Sequence, residues 1–162
     1  MRTVPSFPGR SRAAARGFTM IELLTVLSIV VVLIGVMAPG FSEFLSAQQA
    51  KGLSYDLTGD LMLARNEALK RNASVTVSRG GAGWAQGWSV VSVSDGASLS
   101  TRNPSAQAVT VSGAPATITF DFNGRVISPT TTVRITISSH SSSRCVQLDP
   151  SGRARTLIGA CA

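Results

Sequence analysis

Phe18-Thr19-Met20-Ile21-Glu22 opens a run that reads FTMIELLTVLSIVVVLIGVMA over residues 18–38. From Leu23 to Ala38 the run carries no charge. About 20 mostly apolar residues are long enough to span a bilayer as a helix. Four arginines (Arg2, Arg10, Arg12 and Arg16) precede the run, and no basic residue directly follows it. By the positive-inside bias, this pattern keeps a leader in the cytoplasm and places the C-terminal part outside.

Two ordinary explanations compete for this segment. One is a secretory signal peptide, with a basic start, an apolar stretch and the small residues Val36 and Ala38 before a cut. Pro39 would follow that cut, and a proline there blocks the ordinary signal peptidase. The other is a plain membrane anchor. Neither explains Glu22, because a carboxylate at this depth costs a few kcal/mol unless it is paired.

Gly17-Phe18-Thr19-Met20-Ile21-Glu22-Leu23-Leu24 resembles the class III signal of type IV pilins and type II secretion pseudopilins. The resemblance implies that prepilin peptidase cuts after Gly17 and leaves the apolar helix in place. It implies N-methylation of Phe18 and an assembly role for Glu22, which would pair with the new amine of a neighbouring subunit. Gly17 suits a protease that needs an extended, unhindered backbone. The implied organisation is a cytoplasmic leader over residues 1–17, a transmembrane or filament-core helix over 18–38, and a periplasmic pilin domain over 39–162.

Pro39-Gly40 predicts a kink after the apolar run. Helical spacing then resumes through Phe41, Phe44 or Leu45, Leu53, Leu57, Leu61, Ala64 and Ala68, so one face is apolar. Gln48, Lys51, Asp56, Asp60 and Glu67 fill the other faces, and the helix is expected to end near Arg71-Asn72. From Ser74 onward the period changes to two. Strands are predicted over 74–79, 84–94, 108–111, 116–122, 126–128, 132–138 and 144–148, with 95–107 as a loop. Asn123-Gly124 is a tight-turn signal. Leu63-Ala64-Arg65-Asn66-Glu67-Ala68, Val75-Thr76-Val77, Gly87-Trp88 and Phe120-Asp121-Phe122-Asn123-Gly124 follow in an order that resembles minor pseudopilins of the GspH/FimT family. The expected fold is α+β and type IV pilin-like: a long N-terminal α-helix, transmembrane in its first part, packed on an antiparallel β-sheet domain.

Charged residues make up only 14% of the chain and hydrophobic ones 44%, which fits a chain partly in lipid and excludes a disordered tail. The net charge is +7. Removing the four leader arginines from the 15 basic residues leaves 11 against 8 acidic ones, so the high charge is partly a targeting feature. The two cysteines, Cys145 and Cys161, are expected to form a disulfide in an exported chain. With one distant histidine they make a poor zinc site, so no metal and no cofactor is expected. The loop they close, about 16 residues, contributes roughly 3 kcal/mol in the chain-entropy model.

The C-terminal stretch places the turn Asp149-Pro150-Ser151-Gly152 before Arg153-Ala154-Arg155. If the return limb is extended, Arg153 and Arg155 point to one side about 6.5–7 Å apart, close to the spacing of adjacent phosphates on one strand. Two guanidinium forks at that spacing can grip a phosphate backbone. Spacing alone favours a pair of solvated arginines on a hairpin. However, Gly152, Arg153 and Arg155 resemble the GRxR motif of DNA-binding minor pilins of the FimT type, which act in natural transformation. That resemblance shifts the balance to sequence-independent DNA binding, with Arg144 and Arg134 as extensions of the patch. Trp84 and Trp88 read as packing residues rather than base-stacking ones. His140, in a Ser-rich turn, has no carboxylate pair or nucleophile motif beside it, and an enzyme is not expected. The leading expectation is a minor pilin that captures DNA. Its implied partners are DNA, other pilins, prepilin peptidase and the inner membrane, and its implied location is inner membrane, then pilus. The alternative is a purely structural pseudopilin of a type II secretion system or a pilus priming complex.

Overall fold

The computed structural model describes residues 17–81, 83–104 and 108–162, and of residues 36–39 only the backbone. The leader arginines, and the side chain of Pro39 with its expected kink, lie outside the described residues. The chain divides into two compact units, Met1–Ala38 and Pro39–Ala162, and helix α1, Met20–Arg71, contributes to both.

In the first unit the helix starts with a reciprocal cap. The Glu22 backbone N–H donates to Thr19 Oγ1 at 3.3 Å, and the Thr19 N–H donates to Glu22 Oε2 at 3.5 Å. Thr-x-x-Glu at this position is a capping box, which satisfies two helix-start donors at once. Farther in, the hydroxyls of Thr25 and Ser28 donate back to the carbonyls of Glu22 and Thr25, each at 2.8 Å. Polar groups in an apolar run are thus satisfied within the helix itself, as an apolar surrounding requires. Among the described residues, no single helix is long and apolar enough to cross a membrane. The segments Met20–Gly35 and Gly40–Arg71 meet that test only together.

In the second unit α1 buries Ala50, Leu53, Leu57, Leu61, Ala64 and Ala68. Their steps of three and four residues keep them on one face. The expected stripe begins later than its spacing suggests. Phe41, Phe44 and Leu45 are 65%, 58% and 48% exposed, because the core of this unit covers the helix only from Ala50 onward. Asp60 departs from its expected place on a polar face and is only 4% exposed. The helix ends where expected. Asn72 takes a left-handed conformation (φ 49°), Ala73 N–H donates to Ala68 O at 3.2 Å and Asn72 N–H to Leu69 O at 3.4 Å. This is a Schellman stop.

Nine strands follow among the described residues: β1 Val75–Gly80, β2 Gly83–Ser92, β3 Ser98–Arg102, β4 Thr110–Ser112, β5 Thr117–Phe120, β6 Val126–Ser128, β7 Val133–Ser138, β8 Ser143–Leu148 and β9 Ala154–Ile158. They form two antiparallel sheets, ordered β3-β2-β1-β5-β6 and β4-β7-β8-β9. Strand β3 corrects the loop expected over 95–107. It is a polar edge strand in which only Leu99 packs against the core, so its Ser-rich composition hides the alternation. One core joins α1 to both sheets through Val75, Val77, Val90, Ile118, Phe120, Ile135, Ile137, Val146 and Leu148.

Candidate nucleic-acid interface

Two turns of the same pattern build the candidate site. Asp121-Phe122-Asn123-Gly124-Arg125 links β5 to β6, and Asp149-Pro150-Ser151-Gly152-Arg153 links β8 to β9. In each, the glycine N–H returns to the aspartate carbonyl, at 2.9 Å for Gly124 and 2.8 Å for Gly152. In each, the aspartate N–H then bonds the carbonyl of the following arginine, at 2.8 and 3.1 Å. Both glycines are left-handed, φ 71° and 79°, a conformation that a residue without Cβ adopts freely. Asp121 Oδ1 further accepts from the N–H groups of Asn123 and Arg125.

The two turns pack on each other. Val126 N–H donates to Pro150 O at 3.0 Å, and a Cβ on Gly152 would lie 2.0 Å from Gly124 O. The Arg65 stem, from α1, lies against both glycines, and its Nε donates to Gly124 O at 3.1 Å. Gly152 is therefore a packing residue.

The return limb, whose extension the sequence left as a condition, is strand β9, and its alternation sorts the candidate residues. Thr156 faces α1, where its hydroxyl pairs with that of Thr58 at 2.7 Å, and Ala154 packs on the core. Arg153 and Arg155 alternate with these two and are exposed. Arg134 shares their face. Across the sheet Arg155 pairs with Gln147 and Gln147 with Arg134, one row over three strands. Arg144 does not join them. It has the parity of the buried Val146 and Leu148, pairs with buried Ile137, and its Nε is itself buried without a hydrogen-bond partner. The extension of the patch through Arg144 is thus corrected by strand register. One acid sits within the row's reach: Asp149 Oδ1 accepts from Gln147 Nε2 at 3.3 Å.

Cys145 and Cys161 are bonded, as expected, with Cα atoms 5.0 Å apart. The segment after β9 folds back over the sheet, with Gly159 N–H on Ser143 O at 3.0 Å and Cys161 N–H on Thr136 Oγ1 at 3.2 Å. Among the described residues, Lys70, Arg71 and Arg102 are in ion pairs, whereas Arg125, Arg134, Arg153 and Arg155 are in none. Arg125 was not singled out in the sequence. Its signal was the repeated Asp-x-x-Gly-Arg turn. Trp84 and Trp88 are buried, with ring centroids 6.3 Å apart, which agrees with their reading as packing residues.

A family model described as type II transport protein GspH matches residues 55–152, more than half of the chain. The chain belongs to the GspH family. The GspH match ends on Gly152, so Arg153, Arg155 and the N-terminal Gly17–Glu22 segment lie outside it. This GspH-family chain is also similar to crystal structures of the type IV minor pilin FimU of Pseudomonas aeruginosa. One crystal form is 20% identical with a TM-score of 0.57, covering 66% of this chain and 91% of FimU. A second is 22% identical with the same TM-score, 0.57, covering 74% and 92%. At these identities the likeness establishes the pilin fold. No curated protein matches the chain.

Proposed function

We propose that this protein is a minor pilin that joins a type IV filament and binds DNA without sequence preference during natural transformation. The observation that carries the DNA reading is the disposition of Arg153 and Arg155: exposed, free of ion pairs, and alternating on one face of β9 above a turn fixed by Gly152. Arg134 extends that face. Contacts of this kind recognise phosphate and carry no base information. The GspH family and the FimU fold support the filament part of the reading. In the same reading residues 1–17 are removed after Gly17, Phe18 is methylated, Glu22 pairs with a neighbour's amine, and 18–38 anchors the chain in the inner membrane before assembly.

The test is duplex DNA binding by the full chain in detergent, with Arg153→Gln/Arg155→Gln alongside. Wild-type binding should weaken steeply with salt, with a log–log slope of about −0.9 per phosphate neutralised, and the double change should reduce both affinity and slope. No wild-type binding at low salt rejects DNA capture. Intact binding by the double variant rejects the site. Mass spectrometry of the mature N-terminus tests processing, and a chain beginning at Pro39 rejects it.

A second reading is favoured by the family's own description as a type II transport protein. In it the chain is a structural pseudopilin with no DNA role. That reading gains if the full chain fails to bind DNA yet is required for filament formation.

A further inference from the structure

We propose that Arg125 is a further phosphate-contacting residue, so that the basic surface is a clasp made by two stacked turns rather than by one hairpin. The inference rests on the DNA reading above and extends it to a residue on a different sheet.

The argument starts from the repeated turn. Gly124 precedes Arg125 as Gly152 precedes Arg153, with the same left-handed glycine and the same pair of backbone bonds closing each turn. Each arginine therefore leaves its backbone in the same local frame. The frames are in direct contact on both sides of Arg125: Gly124 O meets the Gly152 Cα, and Val126 N–H meets Pro150 O. Backbones joined in this way lie about 5 Å apart, well within the reach of two arginine side chains toward one phosphodiester chain. Arg65 braces the stack from behind through its bond to Gly124 O. Arg125 is exposed and is in no ion pair; the carboxylate of its turn-mate Asp121 is engaged with the backbone, where Oδ1 accepts from two N–H groups. A guanidinium that its neighbouring acid leaves free keeps its full capacity for phosphate. A strand lying along Arg155 and Arg153 then meets Arg125 as it leaves β9.

The experiment measures the salt dependence of duplex DNA binding by the full chain in detergent, comparing wild type with Arg125→Gln, Arg125→Lys and Arg79→Gln. Arg79 is the charge-matched control. It is exposed on β1, four residues from Val75, the residue that pairs with Phe120 beside the β5–β6 turn, and so lies about 13 Å along the strand. Arg125→Gln should lower the slope by about 0.9 and weaken binding about eightfold at 0.1 M salt, through the loss of one released counterion. Arg125→Lys should keep the wild-type slope, and Arg79→Gln should leave slope and affinity near wild type. The proposal is overturned if Arg125→Gln keeps the wild-type slope while Arg153→Gln/Arg155→Gln loses it, an outcome that leaves the DNA reading standing. It is also overturned if Arg79→Gln weakens binding as much, which would reduce the effect to net charge, or if Arg125→Lys loses as much as Arg125→Gln, which would make the role structural. If the wild type does not bind at low salt, the DNA reading falls and this inference falls with it.

Discussion

Trp88 Nε1 donates to Asp60 Oδ2 at 2.9 Å, and both residues are buried. Asp60 also accepts from Ser100 Oγ at 3.3 Å and from Arg102 Nε at 3.1 Å. One carboxylate of α1 thus ties the helix to β2 and β3. Asp60→Ala leaves a buried indole donor without its partner, which costs the desolvation of that group, and it releases a charge-assisted bond. It should destabilise the fold by about 2–4 kcal/mol in denaturant unfolding. Asp60→Asn keeps an acceptor for Trp88 and should cost clearly less. Equal losses for the two variants would show that the tie to Trp88 contributes little.

Gly152→Ala should destabilise the chain for two separable reasons. The backbone at φ 79° disfavours a Cβ, and that Cβ would press on Gly124 O. Gly96→Ala isolates the first reason, since Gly96 has φ 68° but open space around its Cβ position. Left-handed strain alone should cost about 1 kcal/mol. Melting curves should show a larger loss for Gly152→Ala than for Gly96→Ala. Matching losses would mean that the two turns do not need to touch.

Removing the Cys145–Cys161 bond with Cys145→Ala/Cys161→Ala should cost roughly 3 kcal/mol, because the unfolded chain regains the freedom of a loop of about 16 residues. Chemical unfolding of the double variant and of the oxidised wild type measures it. A difference below about 1 kcal/mol would assign the hairpin's stability to its backbone ladder instead.

The carboxyl of Glu67 is held below its usual range, first by the Arg71 Nε–H at 2.7 Å and further by Lys70. Arg71 is raised in turn by Glu67. A depressed acid adds stability above its unfolded pKa, about 4.3, and loses it as pH falls through the lower folded value. The gap in melting temperature between wild type and Glu67→Gln should therefore be open at neutral pH and close in acid. The gap should be small, because the pair lies at the surface. A gap that widens on acidification would contradict the assignment.

Much of the fold can be read from local spacing. Leu53, Leu57, Leu61, Ala64 and Ala68 follow the helical period and are all buried, and the Asp-x-x-Gly turns stand where their residues predict. What was hidden depends on partners far along the chain. Asp60 looks like any helix-surface acid until Trp88 and Arg102 arrive beside it. The Arg65 bond to Gly124 O spans 59 residues, and nothing near either residue announces it. Arg144 could have been placed by parity with Val146 and Leu148, but it stands at the strand end, where charge suggested the surface. Strand β3 failed the pattern test because an edge strand needs only one apolar contact, here Leu99, to hold its place.

The covalent link between β8 and the segment after β9 also has a mechanical meaning. Strand β9 is an edge, joined on one side only, and a pull on Arg155 would peel its hydrogen bonds from β8 one after another. The cysteines are 16 residues apart and bracket that seam from the Cys145–Leu157 pair to the turn, leaving only its Arg144–Ile158 end outside. Tension applied at the arginines can therefore lengthen the molecule only by the slack inside the bracket, after which the load passes through sulfur into β8, in the middle of the sheet.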